Sequence, residues 1–572
     1  MGSVFFIALR RLRAPLILLI VIVAISTAGL SLIPGVDAEG RPVRLTIFQA
    51  FYFVSYTATT IGFGEVPYAF TDRQRLWVTF IIYSSVVGWT YLIGGVLRLG
   101  QDKGFQQAIV SARFARNVRH MREPFFIVCG LGETGMTIVR SLDVLGFRSV
   151  VLDVDERRIQ ELELEDLSID APALAADASL PDILLMAGLR KRECQGVLVL
   201  SASDEANLAV AIAVHLLNPE LRTICRNHTP AISVSLATIG VYQILNPFRE
   251  FSERLVLAMR SPDTYRLISW LTGLPGARLP RPIPAPPGHW IVCGYGRFGM
   301  EIAGSIQRAG FKVSIIDPRH GAEWDVQVVN SHGADAAVLR EAGIESAAGI
   351  VAGTDNDSIN LAIGIAARAM RPEIFIILRQ NLLSNRLLFE AARAEMTMVS
   401  SEIIANQCLA LLHTRVMGEF LAIARARDDD WAEDVIQRLR ETVGDEAPNF
   451  WSVTLTKTES PGMIDAMADL PDGLRLADLS RDISDRDRTA TIVPLLIVRG
   501  DEKIELPTGD MRIFKGDTIL LAGSREAERD LRHILCNANV ARYVLQGEDA
   551  LRGLVWRALA NAFSRKRKSG AG

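Results

Sequence analysis

The sequence has few of the residues that build disulfide scaffolds and metal centres, with 6 cysteines and 8 histidines among 572 residues. It contains no CxxC pair and no HxxxH pair, so a disulfide framework, a cysteine-rich zinc site and a catalytic metal site all lack support. Cys129 and Cys293 stand in apolar runs, which indicates buried thiols in a reducing compartment.

An excess of one charge is also missing, since the formal net charge is only −3. No global basic field is present to attract a nucleic acid, so we expect no nucleic-acid partner. The apolar fraction of 49 % excludes a mainly disordered chain, and 22 % charged residues exclude one that is apolar throughout. A small membrane part joined to large soluble domains fits both values, and the length suggests about four domains.

Two long runs without charge stand near the N-terminus. Ala14 to Ile33 is uncharged, and its 20 residues span about 30 Å as a helix, the thickness of a hydrocarbon core. Leu76 to Leu99 is uncharged up to Arg98. A signal peptide is the alternative for the first run, but its apolar region is ordinarily only about 7–15 residues long.

The topology follows from the basic residues around these runs. Arginines precede the first run, and a series of basic residues follows the second: Lys103, Arg113, Arg116, Arg119 and Arg122. The positive-inside rule then predicts a multi-pass protein of the inner (cytoplasmic) membrane with both termini in the cytoplasm. The loop of about residues 34–75 would face outward.

This loop is too apolar for an ordinary connection. Thr46 to Ala58 is rich in aromatic residues and too short to span a bilayer, so it is typical of a re-entrant helix. The segment Thr59, Thr60, Ile61, Gly62, Phe63, Gly64 and Glu65 follows directly. Alternating glycines allow the backbone to turn its carbonyls to one side, where a ring of them can replace the water shell of a cation.

The segment TTIGFGE after an aromatic short helix resembles the selectivity filter of potassium channels, which is usually TVGYG followed by Asp. The resemblance implies that K⁺ is the permeant ion and that its ligands are the carbonyls of Thr60, Ile61, Gly62 and Phe63. Phe63 lacks the hydroxyl that in the family bonds to the pore helix, and Glu65 replaces the aspartate. A glycine-rich turn between two membrane helices is the alternative.

Gly88 lies near the middle of the second apolar run. Potassium channels often bend the inner helix at a glycine, so the resemblance makes Gly88 the candidate gating hinge. Close packing of two membrane helices at a small residue is the alternative.

The remainder of the chain contains an internal duplication. A predicted strand, Phe125 to Cys129, precedes the glycines Gly130, Gly132 and Gly135, and a second strand ends at Asp153. The same order recurs 164 residues later, at Gly294, Gly296, Gly299 and Asp317. Asp177 and Asp335 stand in matching Ala-Asp-Ala segments, and Arg226 and Arg379 end matching strands. Strands alternating with helices predict parallel sheets covered on both faces.

This repeated unit resembles the RCK domain, also called KTN or TrkA-N. The implied fold is a membrane α-helical pore module, with two transmembrane helices, a re-entrant pore helix and a filter, fused to tandem α/β Rossmann-like RCK domains and a small α+β C-terminal lobe. The first copy is expected to lack its own C-terminal lobe. The expected divisions are 1–100 pore module, 101–123 linker, 124–260 first RCK domain with crossover helices, 261–287 Pro-rich linker, 288–420 second RCK domain, 421–545 connecting region and C-terminal lobe, and 546–572 basic tail.

A GxGxxG turn with an acid at the end of the next strand is typical of a dinucleotide site. We expect the stronger site in the second copy, because Arg297 follows its second glycine where the first copy has Glu133, whose charge would repel a phosphate. The residues expected there are Gly294, Gly296, Arg297, Gly299, Asp317, Asp335 and Arg379, and those of a weaker first site are Gly130, Gly132, Gly135, Asp153 and Asp177. An acid at the strand end favours NAD(H), ADP or ATP over NADP.

The sequence thus predicts a potassium channel gated by a nucleotide, and not an enzyme. The resemblance implies a homotetramer with a gating ring of eight RCK units, surrounded by membrane lipid. A membrane-tethered NAD-dependent oxidoreductase and a regulatory subunit of a cation transporter are the alternatives, but neither explains TTIGFGE. Ca²⁺ could bind at the acidic clusters 153–156, 428–430 and 482–487, although solvated surface is the simpler interpretation.

Overall fold

The computed structural model describes residues 2–547, apart from 37–39, 66–67, 274–275, 284, 319–326, 330–334, 414–415, 468–472 and 483–487. The chain divides into two units, of which the first comprises residues 1–122 with 172–174 and the second residues 123–171 with 175–572. Nearly all of the basic tail expected at 546–572 and most of the acidic cluster at 482–487 lie outside the described residues.

The first unit contains two helices that are long and apolar enough to cross a membrane, one over Leu12–Leu32 and the other over Asp72–Gln101. Both coincide with the predicted spans. The elements of this unit are α1 (Gly2–Leu32), β1 (Gly35–Val36), β2 (Pro42–Val43), α2 (Ile47–Ala58), α3 (Asp72–Gln101) and α4 (Lys103–His120). The predicted linker is therefore mostly the helix α4.

Local signals in the sequence fix where the helices begin. Thr46 and Gln49 form a capping box at the start of α2, and Thr71 and Gln74 form another at the start of α3. The long helices α1 and α3 pack closely at Gly29, where a Cβ would collide with the indole of Trp77. The Trp77 Nε1–H donates to the carbonyl of Ser26 at 3.2 Å, which fixes the ring against α1.

After residue 122 the chain forms a six-stranded parallel sheet in the order β5-β4-β3-β6-β7-β8. Its elements are β3 (Phe125–Cys129), α5 (Glu133–Val144), β4 (Arg148–Asp153), α6 (Glu156–Glu163), β5 (Ala173–Ala175), α7 (Pro181–Met186), β6 (Cys194–Val199), α8 (Asp204–Leu217), β7 (Arg222–Arg226), α9 (Pro230–Thr238) and β8 (Gln243–Leu245). Strand β3 is fully buried, as a central parallel strand covered on both faces must be.

The second copy repeats this order as β11-β10-β9-β12-β13-β14. Its elements are β9 (Trp290–Cys293), α12 (Arg297–Arg308), β10 (Val313–Ile316), β11 (Gln327–Val329), α13 (Ala336–Glu341), β12 (Gly349–Ala352), α14 (Asp357–Met370), β13 (Phe375–Gln380), α15 (Arg386–Ala392) and β14 (Met396–Val399). The tandem Rossmann-like fold predicted from the duplication is therefore confirmed.

The two copies exchange the helices that follow them. Helices α10 (Pro247–Arg260) and α11 (Pro262–Leu271) come after the first copy, and α16 (Ser400–His413) comes after the second. Helix α10 packs on α12 of the second copy, and α16 packs on α5 of the first. Phe248 and Phe251 of α10 contact the ring of Phe298 in α12, with centroids 5.7 and 5.8 Å apart.

The C-terminal part is a small α+β lobe with the antiparallel order β15-β20-β17-β18 and the pair β16-β19. Its elements, with the two helices before it, are α17 (Met417–Ala426), α18 (Asp429–Val443), β15 (Asn449–Thr454), α19 (Pro461–Met467), β16 (Leu474–Arg475), α20 (Leu476–Leu479), β17 (Ile492–Arg499), β18 (Glu502–Glu505), β19 (Arg512–Ile513), β20 (Thr518–Gly523), α21 (Arg525–Cys536) and α22 (Ala538–Gln546). Trp270 and Leu271 of α11 share one core with Phe420 and Leu496, so the helix after the first copy packs against this lobe.

Candidate ion pathway and anion cavity

The segment after α2 has an alternating backbone conformation. Thr60, Gly62 and Gly64 have φ values of 65°, 67° and 93°, so left-handed residues recur at every second position. Alternation of left- and right-handed residues turns successive peptide carbonyls toward the same side of the chain. Positive φ is strained for Thr60 but not for glycine, which explains the glycines at the other two positions.

The pore helix α2 ends at Ala58, and its last turn accepts hydrogen bonds from the residues that follow. The carbonyl of Tyr56 accepts the N–H groups of Ile61 and Gly62 at 2.9 and 3.4 Å. The Thr59 hydroxyl donates to the carbonyl of Ser55 at 2.8 Å. The C-terminal end of a helix has a partial negative charge, which favours a cation close to it.

At the other end of the segment, Glu65 turns toward the start of α3. Its carboxylate accepts Nε and Nη2 of Arg75 at 2.9 and 3.3 Å and the N–H of Phe70 at 2.8 Å. Glu65 stands where the potassium-channel pattern has aspartate. Its hydrogen bonds with Arg75 tie the end of the filter segment to α3 within the same chain.

A cavity of about 610 Å³ lies in the second unit, at the carboxyl ends of β3, β4 and β6. Strand β3 lies between β4 and β6, so the cavity is at the point where the strand order reverses, the usual ligand position in such sheets. Gly132 caps α5 without any side-chain hydrogen bond, which leaves the first N–H groups of the helix available to an anion.

Arginines from both copies line this cavity. Arg158 and Arg226 belong to the first copy, and Arg297 and Arg379 to the second. The charge of Arg297 contributes to lowering the pKa of both Arg226 and Arg379, after burial, which is the larger cause. Arg297 is therefore close enough to repel both other guanidinium groups, of which Arg379 also pairs with Asp355 at 2.7 Å, and an anion beside Arg297 would relieve that repulsion.

A hydrogen-bonded chain orients Arg226. Its Nε–H donates to Nε2 of His228 at 3.3 Å, so Nδ1 of the neutral ring carries the proton and donates to Asp204 at 3.0 Å. Burial alone would raise the pKa of Asp204, but hydrogen bonds from Thr229 and His228 outweigh it and lower that pKa. Burial lowers the pKa of His228, and the neighbouring Arg226 charge lowers it further. The ring therefore stays neutral and accepts from Arg226.

Comparison with protein families assigns both parts of the chain. The family described as "Ion channel" matches residues 17–101, which include part of α1 and all of α2, the filter segment and α3. The family described as "TrkA-N domain" matches residues 126–247 and 290–402, which are the two parallel sheets.

Two curated relatives are potassium channels by name. Potassium channel protein 1 of Methanocaldococcus jannaschii is 22 % identical over 260 residues, which is 45 % of this chain and 73 % of the relative. Voltage-gated potassium channel Kch of Escherichia coli is 25 % identical over 193 residues, 33 % of this chain and 43 % of the relative. The chain belongs to the RCK potassium channels. The channel is accordingly a membrane protein.

Among solved structures, the channel is similar to the GsuK channel bound to NAD, with 16 % identity, a TM-score of 0.45, and coverage of 92 % of this chain and 98 % of the other. It is also similar to GsuK bound to ADP, with 20 % identity, a TM-score of 0.43, and coverage of 72 % and 99 %.

The structure brings the predicted nucleotide residues together in an unexpected way. Arg297 and Arg379, expected in a site of the second copy, line the cavity of the first copy together with its Gly130, Gly132 and Asp177. Asp153 and Asp317 each accept the N–H of the residue after the first glycine, from Leu131 at 2.5 Å and from Tyr295 at 2.6 Å. Both acids therefore brace their turns. Part of the segment between Asp317 and Asp335 is outside the described residues.

Gly135 and Gly299 have a packing role. A Cβ at either position would collide with the carbonyl of the first glycine of its own motif, Gly130 or Gly294. Only glycine therefore lets α5 and α12 approach their strands this closely. Close packing of helix and strand is the usual role of the third glycine in a GxGxxG turn. Gly296 caps α12 as Gly132 caps α5, also without a side-chain hydrogen bond.

The ranking of the second copy above the first stays a prediction, and Glu133 itself lines the first cavity. The Glu133 carboxylate accepts the N–H of Leu383 from the second copy at 3.0 Å, so this charge has a partner at the junction of the copies.

Two aromatic rings lie together at α12 of the second copy, and one of them, Phe248, also lines the first cavity. The guanidinium of Arg379 lies over the rings of Phe248 and Phe298, at 5.2 and 5.7 Å from their centroids. At the matching positions of the first cavity stand the smaller Ser401 and Thr134. The buried hydroxyl of Ser401 has no hydrogen-bond partner among the described residues, and a polar ligand could supply one.

Sequence reasoning used Asp204 and Arg226 only as landmarks of the duplication and overlooked His228. An alignment of the two copies could have revealed the difference between Phe248 and Ser401, since both stand at the second position of their crossover helices.

The Ca²⁺ prediction gains no support from the geometry. The described residues contain no group of three or more His, Cys, Asp or Glu that could hold a metal ion. Asp155 and Asp428 accept backbone N–H groups at the starts of α6 and α18, and Asp429 accepts from Thr264. These acids have structural partners.

The hinge at Gly88 stays a prediction. Helix α3 continues through Gly88 without a break, and a Cβ there would lie 3.0 Å from Ile22 and 3.3 Å from Leu19 of α1. Close packing of two helices accounts for a glycine at this position.

The buried His228 predicts a pH dependence of stability. Because its folded pKa is lower than the ordinary value of 6.5, the unfolded chain takes up a proton first as the pH falls, and the folded state loses stability from about pH 6.5 downward. In the matching place the second copy has Asn381, which donates to Asp357 at 2.9 Å. We expect the Tm of the wild type to fall more steeply between pH 7.5 and pH 5 than that of His228→Asn. Parallel curves would contradict a titrating role for His228.

Proposed function

We propose that this chain is a potassium channel whose opening is controlled by an adenine nucleotide bound in the cavity of the first TrkA-N unit. The observation that supports this most directly is the convergence of Arg226, Arg297 and Arg379 on a Gly-rich turn at the start of a helix. Guanidinium groups and free helix N–H groups are together the preferred surroundings of a pyrophosphate.

The cavity suits the other parts of a nucleotide as well. The buried Asp153 stands at the end of β4, where an acid can accept a ribose hydroxyl. Its carboxylate receives N–H groups from Leu131 and Asp155 and pairs with Arg158 at 3.3 Å, which leaves acceptor capacity on Oδ1. The volume of about 610 Å³ is in the range of small-molecule sites. NAD⁺, NADH, ADP and ATP are therefore the candidate ligands.

This arrangement also offers a physical basis for gating. A phosphate held by Arg226 from one copy and by Arg297 and Arg379 from the other would connect the two copies. A ligand shifts a conformational equilibrium only by its different affinity for the two states, and a site shared by two copies changes whenever the copies move.

For assembly, we propose that four chains contribute one filter segment each, because a carbonyl ring needs several strands around one axis. Their eight TrkA-N units would form the cytoplasmic ring, both termini would lie in the cytoplasm of the inner membrane, and α4 would connect the ring to the inner helix α3. An oxidoreductase function remains the alternative, which turnover of NADH by the purified chain would favour.

The experiment measures binding and flux on the same preparation. The purified full-length channel is titrated with ADP, ATP, NAD⁺ and NADH by calorimetry, and K⁺ flux from liposomes is recorded over the same concentrations. We expect at least one nucleotide to change flux with a half-effect close to its Kd. Binding without any change in flux would contradict nucleotide gating, and flux without binding would indicate another ligand.

A further inference from the structure

The filter segment lacks one restraint that its family pattern provides. Phe63 stands where the pattern has tyrosine, so no side-chain hydroxyl at this position can bond to the pore helix. The ring of Phe63 instead contacts the ring of Tyr56 edge-on, with centroids 5.4 Å apart.

Tyr56 lies in the last full turn of α2 and is only 4 % exposed. Its ring is surrounded by Tyr52, Phe53 and Phe63, which it contacts edge-on at 5.4, 5.1 and 5.4 Å. The Tyr56 hydroxyl donates to the carbonyl of Gly64 at 2.6 Å. A buried tyrosine hydroxyl requires such a partner, so the ring packing and the hydrogen bond fix each other.

The same residue holds the other end of the segment through its main chain. Its carbonyl accepts the N–H groups of Ile61 and Gly62, while its hydroxyl reaches Gly64. One residue therefore restrains the filter segment at both ends. The Glu65 pair with Arg75 follows directly after Gly64 and ties the chain at that point to α3.

We propose that Tyr56 is a positioning residue for ion selection, whose hydroxyl replaces the restraint that Phe63 cannot supply. By holding the Gly64 carbonyl, the hydroxyl keeps Gly64 at φ 93° and so preserves the alternation that aligns the carbonyls of Thr60 to Phe63. The inference rests on conduction of K⁺ by the wild-type channel, which is measured alongside every variant.

The decisive variant is Tyr56→Phe, which keeps the ring and removes the donor. The matched control is Tyr52→Phe on the same helix, since the Tyr52 ring is 50 % exposed and contacts Tyr56 only through its ring. A neutral hydrogen bond of ordinary strength corresponds to roughly two- to tenfold in an equilibrium constant.

We expect Y56F to conduct K⁺ with a K⁺/Na⁺ permeability ratio about three- to tenfold below that of the wild type. Its current should also decline with time, more slowly at high external K⁺, because bound ions stabilise the intact filter by mass action. Y52F should match the wild type. Wild-type selectivity and a steady current in Y56F would overturn the proposal, whereas a wild type that does not conduct would instead overturn the channel function.

Incorporation of 4-aminophenylalanine at position 56 covers the case in which Y56F fails to assemble. This residue keeps a donor at the same place on the ring, so it should restore assembly and selectivity. If the aminophenylalanine variant assembled no better and selected K⁺ no better than Y56F, the result would contradict a role of the hydrogen bond.

Discussion

Replacement of Gly62 by alanine is expected to reduce K⁺ flux to the background of empty liposomes while nucleotide binding stays unchanged. Gly62 has a φ of 67°, a conformation that costs an L-residue about 1–2 kcal/mol. In a tetramer the strain would occur once in each of four filter strands. Relaxation to a negative φ would turn the neighbouring carbonyl away and remove a K⁺ ligand.

The loss should not arise from misfolding of the chain. No atom of the described chain lies within 4 Å of a Cβ built on Gly62, so alanine meets no steric obstacle within its own subunit. Gly310→Ala is the matched control, since Gly310 has a φ of 85° and equally open surroundings in the turn after α12. We expect Gly310→Ala to lower the Tm slightly and to leave flux intact. Wild-type flux in Gly62→Ala would remove the filter assignment.

The second large effect concerns Arg297, which belongs to the second copy by sequence and lines the cavity of the first. We expect Arg297→Gln to weaken nucleotide binding by about ten- to a hundredfold, because a hydrogen bond to a charged phosphate contributes about 1.5–3 kcal/mol. Arg308→Gln on the same helix is the control, since its side chain is 71 % exposed and contacts Ser305 by a 2.9 Å hydrogen bond and Glu301 by a 3.8 Å ion pair, both on its own helix.

A pair of acid variants distinguishes a nucleotide site in the first copy from one in the second. If the cavity of the first copy is the site, Asp153→Asn should weaken binding more than Asp317→Asn, although both side chains brace equivalent turns. This order is the reverse of the one that the sequence alone suggests. Equal effects would contradict a site in the first copy alone, and a larger effect of Asp317→Asn would place the nucleotide in the second copy. Calorimetry on the full-length channel measures the difference directly.

Most of the fold could be predicted because its signals are local. The strand Trp290–Cys293 and the helix Ile47–Ala58 are found almost residue for residue where apolar runs, glycines and capping residues indicate them. The duplication is equally visible, since both copies keep glycines and acids at constant spacing.

The ligand cavity could not be predicted, because contacts between distant residues decide it. The partner of Glu133 is Leu383, 250 residues later, and no local pattern announces that pairing. Arg297 of the second copy lines the cavity of the first, and the two copies exchange their crossover helices. The hydroxyl of Tyr56 was overlooked for a similar reason, since an aromatic pore helix predicts packing and not a hydrogen bond to Gly64.

The most direct test of the account is the reversal potential of the purified wild-type channel in a planar bilayer with K⁺ on one side and Na⁺ on the other, before and after addition of a nucleotide to the side of the TrkA-N units. We predict a current that reverses near the K⁺ equilibrium potential and an open probability that changes with at least one of ADP, ATP, NAD⁺ and NADH. A current that reverses near zero, which would show no preference for K⁺ over Na⁺, would contradict the central claim.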